Sequence, residues 1–157
     1  AYFNIFMFQG LILGLTSLSL FFCLKSNVKI ALGGWDYLGL AIFIFGFVWE
    51  SLADYQLYQF KKMQKGRICD RGVWRYSRHP NYFGEFTLWW GIWIFSIPLN
   101  LWPVTIIAPI TISIFLIKVS GIPFLQRKYQ NDPEYLEYAA KTNLFLPWIR
   151  KKKNRLL

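Results

Sequence analysis

Apolar runs of about twenty residues recur along this 157-residue chain, at roughly 2–24, 35–60, 80–97 and 101–119. That is the length a helix needs to cross a hydrocarbon core of roughly 30 Å. With 55% hydrophobic and 20% aromatic residues, a soluble domain of this size could not hide its apolar surface. The pattern predicts an all-α, multi-pass membrane bundle: about four transmembrane helices in a single domain over 1–157. Gly33-Gly34 marks the turn before the second run, and Pro98 and Asn100 mark a tight turn before the fourth. Pro103 and Pro109 are tolerable in a membrane helix, with a kink predicted at Pro109.

The charges orient these runs. Residues 61–79 hold seven Lys/Arg and residues 118–157 hold nine, whereas the first connection holds only Lys25 and Lys29. Four spans put the basic loop 61–79 and the tail 120–157 on one side, which the positive-inside rule makes cytoplasmic. In a prokaryote the membrane would be the inner or plasma membrane. The net charge of +10 is thereby assigned to topology and lipid, and no nucleic-acid partner is expected.

Topology does not ask for polar residues inside the apolar runs. Glu50 and Asp54 are four apart and share a face near the end of the second run, where Gln56 and Lys61 follow; Asn81 and Glu85 share a face at the start of the third. Such groups in a membrane face a partner or a cavity. Interhelical glue is the plainer explanation, a ligand cavity the one adopted here. Pro80 suits the first position of a helix, whose free N–H groups and dipole favour an anion, and Arg75, Arg78 and His79 stand beside it. Taken alone, His79 reads as a capping or packing histidine.

The stretch "NDPEYLEYAAKTN" (131–143) predicts a short cytoplasmic helix, with Asp132 as cap, Pro133 first, Glu134 in the first turn and Asn143 able to end it. Tyr135, Tyr138 and Thr142 fall on one face, fit either for an aromatic belt or for closing over a cofactor. The tail "PWIRKKKNR" reads as an anchor to anionic headgroups. Two cysteines, Cys23 and Cys69, fall on opposite sides of the predicted membrane without metal-ligand spacing, and a single histidine argues against a zinc site, so no metal is expected. The first run lacks the basic flank and shortness of a cleavable signal.

"ESLADYQ" (50–56), "GVWRYSRHPNYFGE" (72–85), "WWGI" (89–92) and the terminal Tyr135, Tyr138, Thr142, Phe145, Pro147 series together resemble the C-terminal half of the steroid 5-alpha-reductase-like membrane proteins, closest to their uncharacterised prokaryotic branch. Sterol C14- and delta-7 reductases carry a similar Arg-His-Pro-Asn-Tyr stretch, and isoprenylcysteine carboxyl methyltransferases a shorter one. The resemblance implies an NADPH-dependent oxidoreductase reducing a conjugated C=C of a lipid-like or steroid-like enone, with a hydrophobic small molecule as substrate. It implies that Arg75, Arg78 and His79 hold phosphates, with Lys61, Lys62 or Arg67 reaching the 2′-phosphate. Asn81 and Glu85 would hold the nicotinamide carboxamide, Glu50 and Asp54 the ribose or adenine side, and Tyr135 and Tyr138 the adenosine side. Gln56, Tyr76 and Tyr82, inside the same motifs, are counted with the cofactor residues. Family members carry further N-terminal spans, so the chain is expected to lack the part that polarises the substrate carbonyl; Gln9 could touch the substrate, and no catalytic acid is assigned. The alternatives are an S-adenosylmethionine-dependent methyltransferase of the isoprenylcysteine carboxyl type and a non-catalytic fragment.

Overall fold

The structure, a computed structural model, describes residues 2–26, 31–119 and 121–149; the side chains of 2–9, 18 and 19 fall outside the description. Gln9, Lys29 and the basic run 150–155 therefore lie outside the described side chains. The described residues are helical, with no strand beyond one isolated bridge between Ser77 and Asn143. Helices α1 (Tyr2–Lys25), α2 (Gly34–Met63) and α3 (Pro80–Ile94) are followed by α4 (Trp102–Thr105), α5 (Ile107–Ile114), a π-helical turn (Phe115–Val119), α6 (Gly121–Tyr129) and α7 (Pro133–Lys141).

Two helical stretches are long and apolar enough to cross a membrane: Gly34–Met63, and the run from Trp102 to Tyr129. The predicted third run is shorter than expected. At 1.5 Å per residue the 15 residues of α3 rise only about 22 Å, and the chain then turns through 95–100, where Asn100 takes the left-handed conformation (φ 58°). The hydroxyls of Ser96 and Thr105, both buried, lie 2.6 Å apart across this turn, Ser96 reaching the Trp93 carbonyl and Thr105 that of Leu101. The break expected at Pro109 falls three residues earlier, at Ile106 between α4 and α5. Pro109 has no N–H to give the Thr105 carbonyl, so the ladder is interrupted one turn upstream of the ring itself. Past the π-helical turn, helix resumes at Gly121 and runs to Tyr129, well beyond the predicted end near 119.

The main interface is α2 against α3, while α1 packs on α4 and α5. Glycines set the α2–α3 distance. A Cβ on Gly84 would fall 2.6 Å from the Glu50 backbone nitrogen, one on Gly46 2.5 Å from that of Leu88, and one on Gly91 2.5 Å from that of Phe43. Backbone thus meets backbone over two turns of each helix, the small-residue packing that membrane helices favour.

A buried apolar cluster lies at the basic end of α2, where Ala53 and Phe60 meet Cys69, Val73 and Trp74 of the following loop. Trp74 donates its indole N–H to the Ala53 carbonyl at 2.9 Å, and the Gln56 side-chain oxygen accepts from Val73 N–H at 2.9 Å. Gly72 sits against that amide with φ +56°; a Cβ there would fall 2.1 Å from the Gln56 oxygen, so the turn demands glycine. The loop is thereby a folded cap on α2.

Candidate functional site

The loop 72–79 is held from its far side by the C-terminal segment. Asp132 caps α7 through bonds from the N–H groups of Glu134 and Tyr135, with Pro133 at the first position, as the sequence predicts. From α7 the Tyr138 hydroxyl reaches the carbonyls of Trp74 (2.5 Å) and Ser77 (3.1 Å). The chain then runs alongside the loop: Arg78 N–H donates to the Asn143 carbonyl, Ser77 Oγ to that of Phe145, and Trp148 N–H to that of Tyr76. Phe145 closes edge-on against Phe83 and Phe86 of α3.

Between loop, α6 and α7 lies a cavity of about 110 Å³, with Lys61, Arg67, Arg78, His79, Tyr135 and Tyr138 in its wall. Arg78 Nε, His79 Nε2 and the Tyr135 hydroxyl are buried with no hydrogen-bond partner among the described residues. Leaving buried polar atoms unmatched costs roughly 1–3 kcal/mol each, and here three such atoms belong to residues that line one cationic cavity. His79 is 2% exposed and stacks parallel on Tyr82, ring centroids 5.5 Å apart. Burial, and then the charge of Arg78, push its pKa down to about 4. At neutral pH it is an uncharged imidazole and the positive charge of the cavity comes from Arg78, Arg67 and Lys61. Burial also pushes the Cys69 thiol up, so this wall residue stays protonated, and it pushes up the Tyr138 phenol, whose hydroxyl is already committed to the backbone.

The second polar group lies on the α2–α3 seam. Asn81 donates its side-chain N–H to Asp54 at 3.1 Å, and Glu50, Asp54 and Glu85 lie close enough to repel one another. Most of the predicted residues thus fall into two sets joined by one stacked pair. Lys61, Arg67, Arg78, His79, Tyr135 and Tyr138 share the cavity wall; Glu50, Asp54, Asn81 and Glu85 form the seam; His79–Tyr82 stacking connects them. Gln56 is spent on the Val73 turn, and Arg75, Tyr76 and Lys62 are exposed away from the cavity wall, Lys62 lying over the Tyr58 ring. Sequence reasoning missed Ser77, fully buried and bonded to Phe145, although it lies inside the Arg-Tyr-Ser-Arg-His-Pro motif. It also missed Leu125 and Tyr129 of α6, which complete the cavity wall.

A buried neutral histidine makes stability depend on pH. The unfolded chain, with its histidine near 6.5, takes up a proton that the fold resists down to about 4, so His79 costs stability progressively as pH falls from 6.5 toward 4 and costs nothing above that window. We expect the unfolding midpoint of the detergent-purified chain to drop across this range and His79→Gln to flatten the slope; parallel pH profiles for the two would contradict the assignment.

An all-helical chain with long apolar helices and a cationic, half-closed cavity at one end is the class that fold and site define. The chain belongs to the family described as protein of unknown function DUF1295, which it matches over residues 1–142. It is similar to an uncharacterized protein of Schizosaccharomyces pombe, 29% identical over 115 residues, covering 60% of this chain and 33% of the relative. The chain thus spans about a third of that relative's length. No solved structure matches it.

Proposed function

We infer that the chain is the cofactor-holding part of a membrane reductase, which uses NADPH to reduce a conjugated C=C in a lipid-like enone. The observation that carries this reading is one cavity lined by Lys61, Arg67, Arg78, His79 and Tyr135, the last three of which hold buried polar atoms without a partner among the described residues. Phosphate oxygens fit that donor set, and arginine grips them through two donors at once. The seam one helical turn away offers the complementary half. Asn81 presents an amide and Glu85 a carboxylate, the acceptor–donor pairing that a carboxamide requires. The resemblance to the steroid 5-alpha-reductase-like proteins supports the same roles for Arg78 and His79 at the phosphates and for Asn81 and Glu85 at the carboxamide, while it assigns Tyr135 to the adenosine side.

When bound, NADPH would supply a hydride to the β-carbon of the enone and leave as NADP+, the resulting enolate taking up a proton from an acid or water. The chain's own residues would bind and orient: Arg78, His79 and Tyr135 at the phosphates, Arg67 and Lys61 toward the 2′-phosphate, Asn81 and Glu85 at the carboxamide. Tyr138 keeps the wall closed by tying α7 to the Trp74 and Ser77 carbonyls.

The membrane setting belongs to the same proposal. On α2, Ile44, Phe47 and Val48 are about half exposed, and Tyr37 63%, a surface suited to lipid and not to water. Four crossings, with the basic loop and the C-terminal segment in the cytoplasm, would bring the cavity to the compartment that holds NADPH.

Adenosine 2′,5′-bisphosphate, the half of the cofactor that carries the distinguishing phosphate, tests the class of ligand. Calorimetric titration of the detergent-purified chain should show saturable, salt-weakened binding, with no heat from S-adenosylmethionine. Binding of S-adenosylmethionine alone would replace the reductase with a methyltransferase, and binding of neither by a folded chain would remove both.

A further inference from the structure

Arg67 stands in a wall shared by two cavities. With Ile68 and Tyr138 it lines the cavity of about 110 Å³ described above, and on its other side a polar one of about 230 Å³ between the end of α2, the loop after it and α7. Ligand pockets run roughly 300–1,000 Å³, more than either offers alone, so a dinucleotide seated here would extend from one past Arg67 into the other. Glu134, in the first turn of α7, lines only the outer cavity, and its Oε1 accepts from Arg67 Nε at 2.8 Å. Of the guanidinium donors, Nε alone is hydrogen-bonded among the described residues. The pair is exposed on both sides, 65% for Arg67 and 38% for Glu134.

We propose that Glu134 tempers the nucleotide specificity that Arg67 supplies: it occupies Arg67 in the empty protein, a nucleotide carrying a phosphate ester at that point must take Arg67 from it, and one without that phosphate leaves the pair standing. The inference rests on the NADPH reading above. An exposed ion pair of this kind favours its partner by a factor of about five at most. A phosphate dianion, with three acceptor oxygens and nearly two charges, engages the guanidinium through two donors and outweighs one carboxylate held through Nε. A ribose hydroxyl in the same place carries no charge and leaves the ion pair standing. Glu134 therefore weakens binding of the phosphorylated nucleotide slightly, and the unphosphorylated one not at all. Its removal reveals the full contribution of Arg67.

The test is a double-mutant cycle on the full chain in detergent at fixed low salt, with NADPH and NADH as probes. Glu134→Gln should tighten NADPH by about three- to five-fold, within the range of an exposed pair, and leave NADH unchanged. Arg67→Ala should bring NADPH down toward NADH, and Glu134→Gln should then have no effect. Asp132 and Pro133 still start α7 in these variants, and Glu134→Ser provides a second removal of the charge. An equal shift of both nucleotides, a weaker NADPH affinity in Glu134→Gln, or an undiminished effect in the Arg67→Ala background would overturn the inference while leaving the NADPH reading in place. Binding of neither nucleotide by the folded native chain would overturn both.

Discussion

Gly84→Val separates α2 from α3 and destabilises the chain by about 3 kcal/mol or more, the upper range for overpacking a tight contact. Already a first carbon at Gly84 would fall 2.6 Å from the Glu50 nitrogen and 2.8 Å from its Cα, and a backbone cannot rotate aside as a side chain can. The branched valine adds two methyl groups to that overlap. Because the same contact places Asp54 beside Asn81, the variant should lose the polar seam together with its stability. The comparison is Gly14→Ala on α1, where a Cβ meets nothing within 4 Å; the substitution there should be neutral or stabilising by up to about 1 kcal/mol through helix propensity. Denaturant titration of the detergent-purified proteins, followed by circular dichroism, separates the two. Equal midpoints for Gly84→Val and the native chain would show that the helices do not meet as described.

The second large effect falls on binding alone. Arg78→Ala should weaken NADPH by roughly 100-fold, corresponding to about 2–3 kcal/mol for a charge-assisted contact in a partly desolvated cavity. Its unfolding midpoint should stay close to native, because Arg78 ties the C-terminal segment through its backbone N–H, which alanine retains, while its side-chain Nε has no partner among the described residues. Arg78→Lys should recover only part of the affinity, since an ammonium supplies charge without the planar fork. Unchanged NADPH affinity in Arg78→Ala would take the phosphate role away from this residue.

Local signals in the sequence were the legible ones. Asp132-Pro133 and Pro80 start helices because cap chemistry is settled within one turn, and the structure shows both. The four-residue spacing of Glu50 with Asp54 and of Asn81 with Glu85 located two polar faces, and the structure turns Asp54 and Asn81 toward each other. Which side chains are spent on the fold was not legible. Gln56 reads like a ligand-binding amide, yet the turn at Gly72 takes its oxygen, a partnership fixed only once loop and helix meet. Tyr138 is similar: its hydroxyl holds backbone carbonyls more than sixty residues away in the chain. One signal was present and unused. Gly39 and Gly46 on α2 are spaced like Gly84 and Gly91 on α3, two turns apart, and each pair marks the line along which the helices touch. The end of α3 at Ile94 was hidden because the apolar run continues past it; hydropathy does not register a helix that turns while staying apolar.

A cationic cavity that takes the phosphates of NADPH, as proposed, must discriminate between NADPH and NADH. The most direct measurement is a fluorescence titration of the detergent-purified chain with NADPH and, separately, NADH, using energy transfer from its eight tryptophans. Saturable NADPH binding that weakens with salt and that NADH does not match is the result predicted. Absence of saturable binding by a chain whose helical signal is intact, or equal affinity for the two nucleotides, would contradict it.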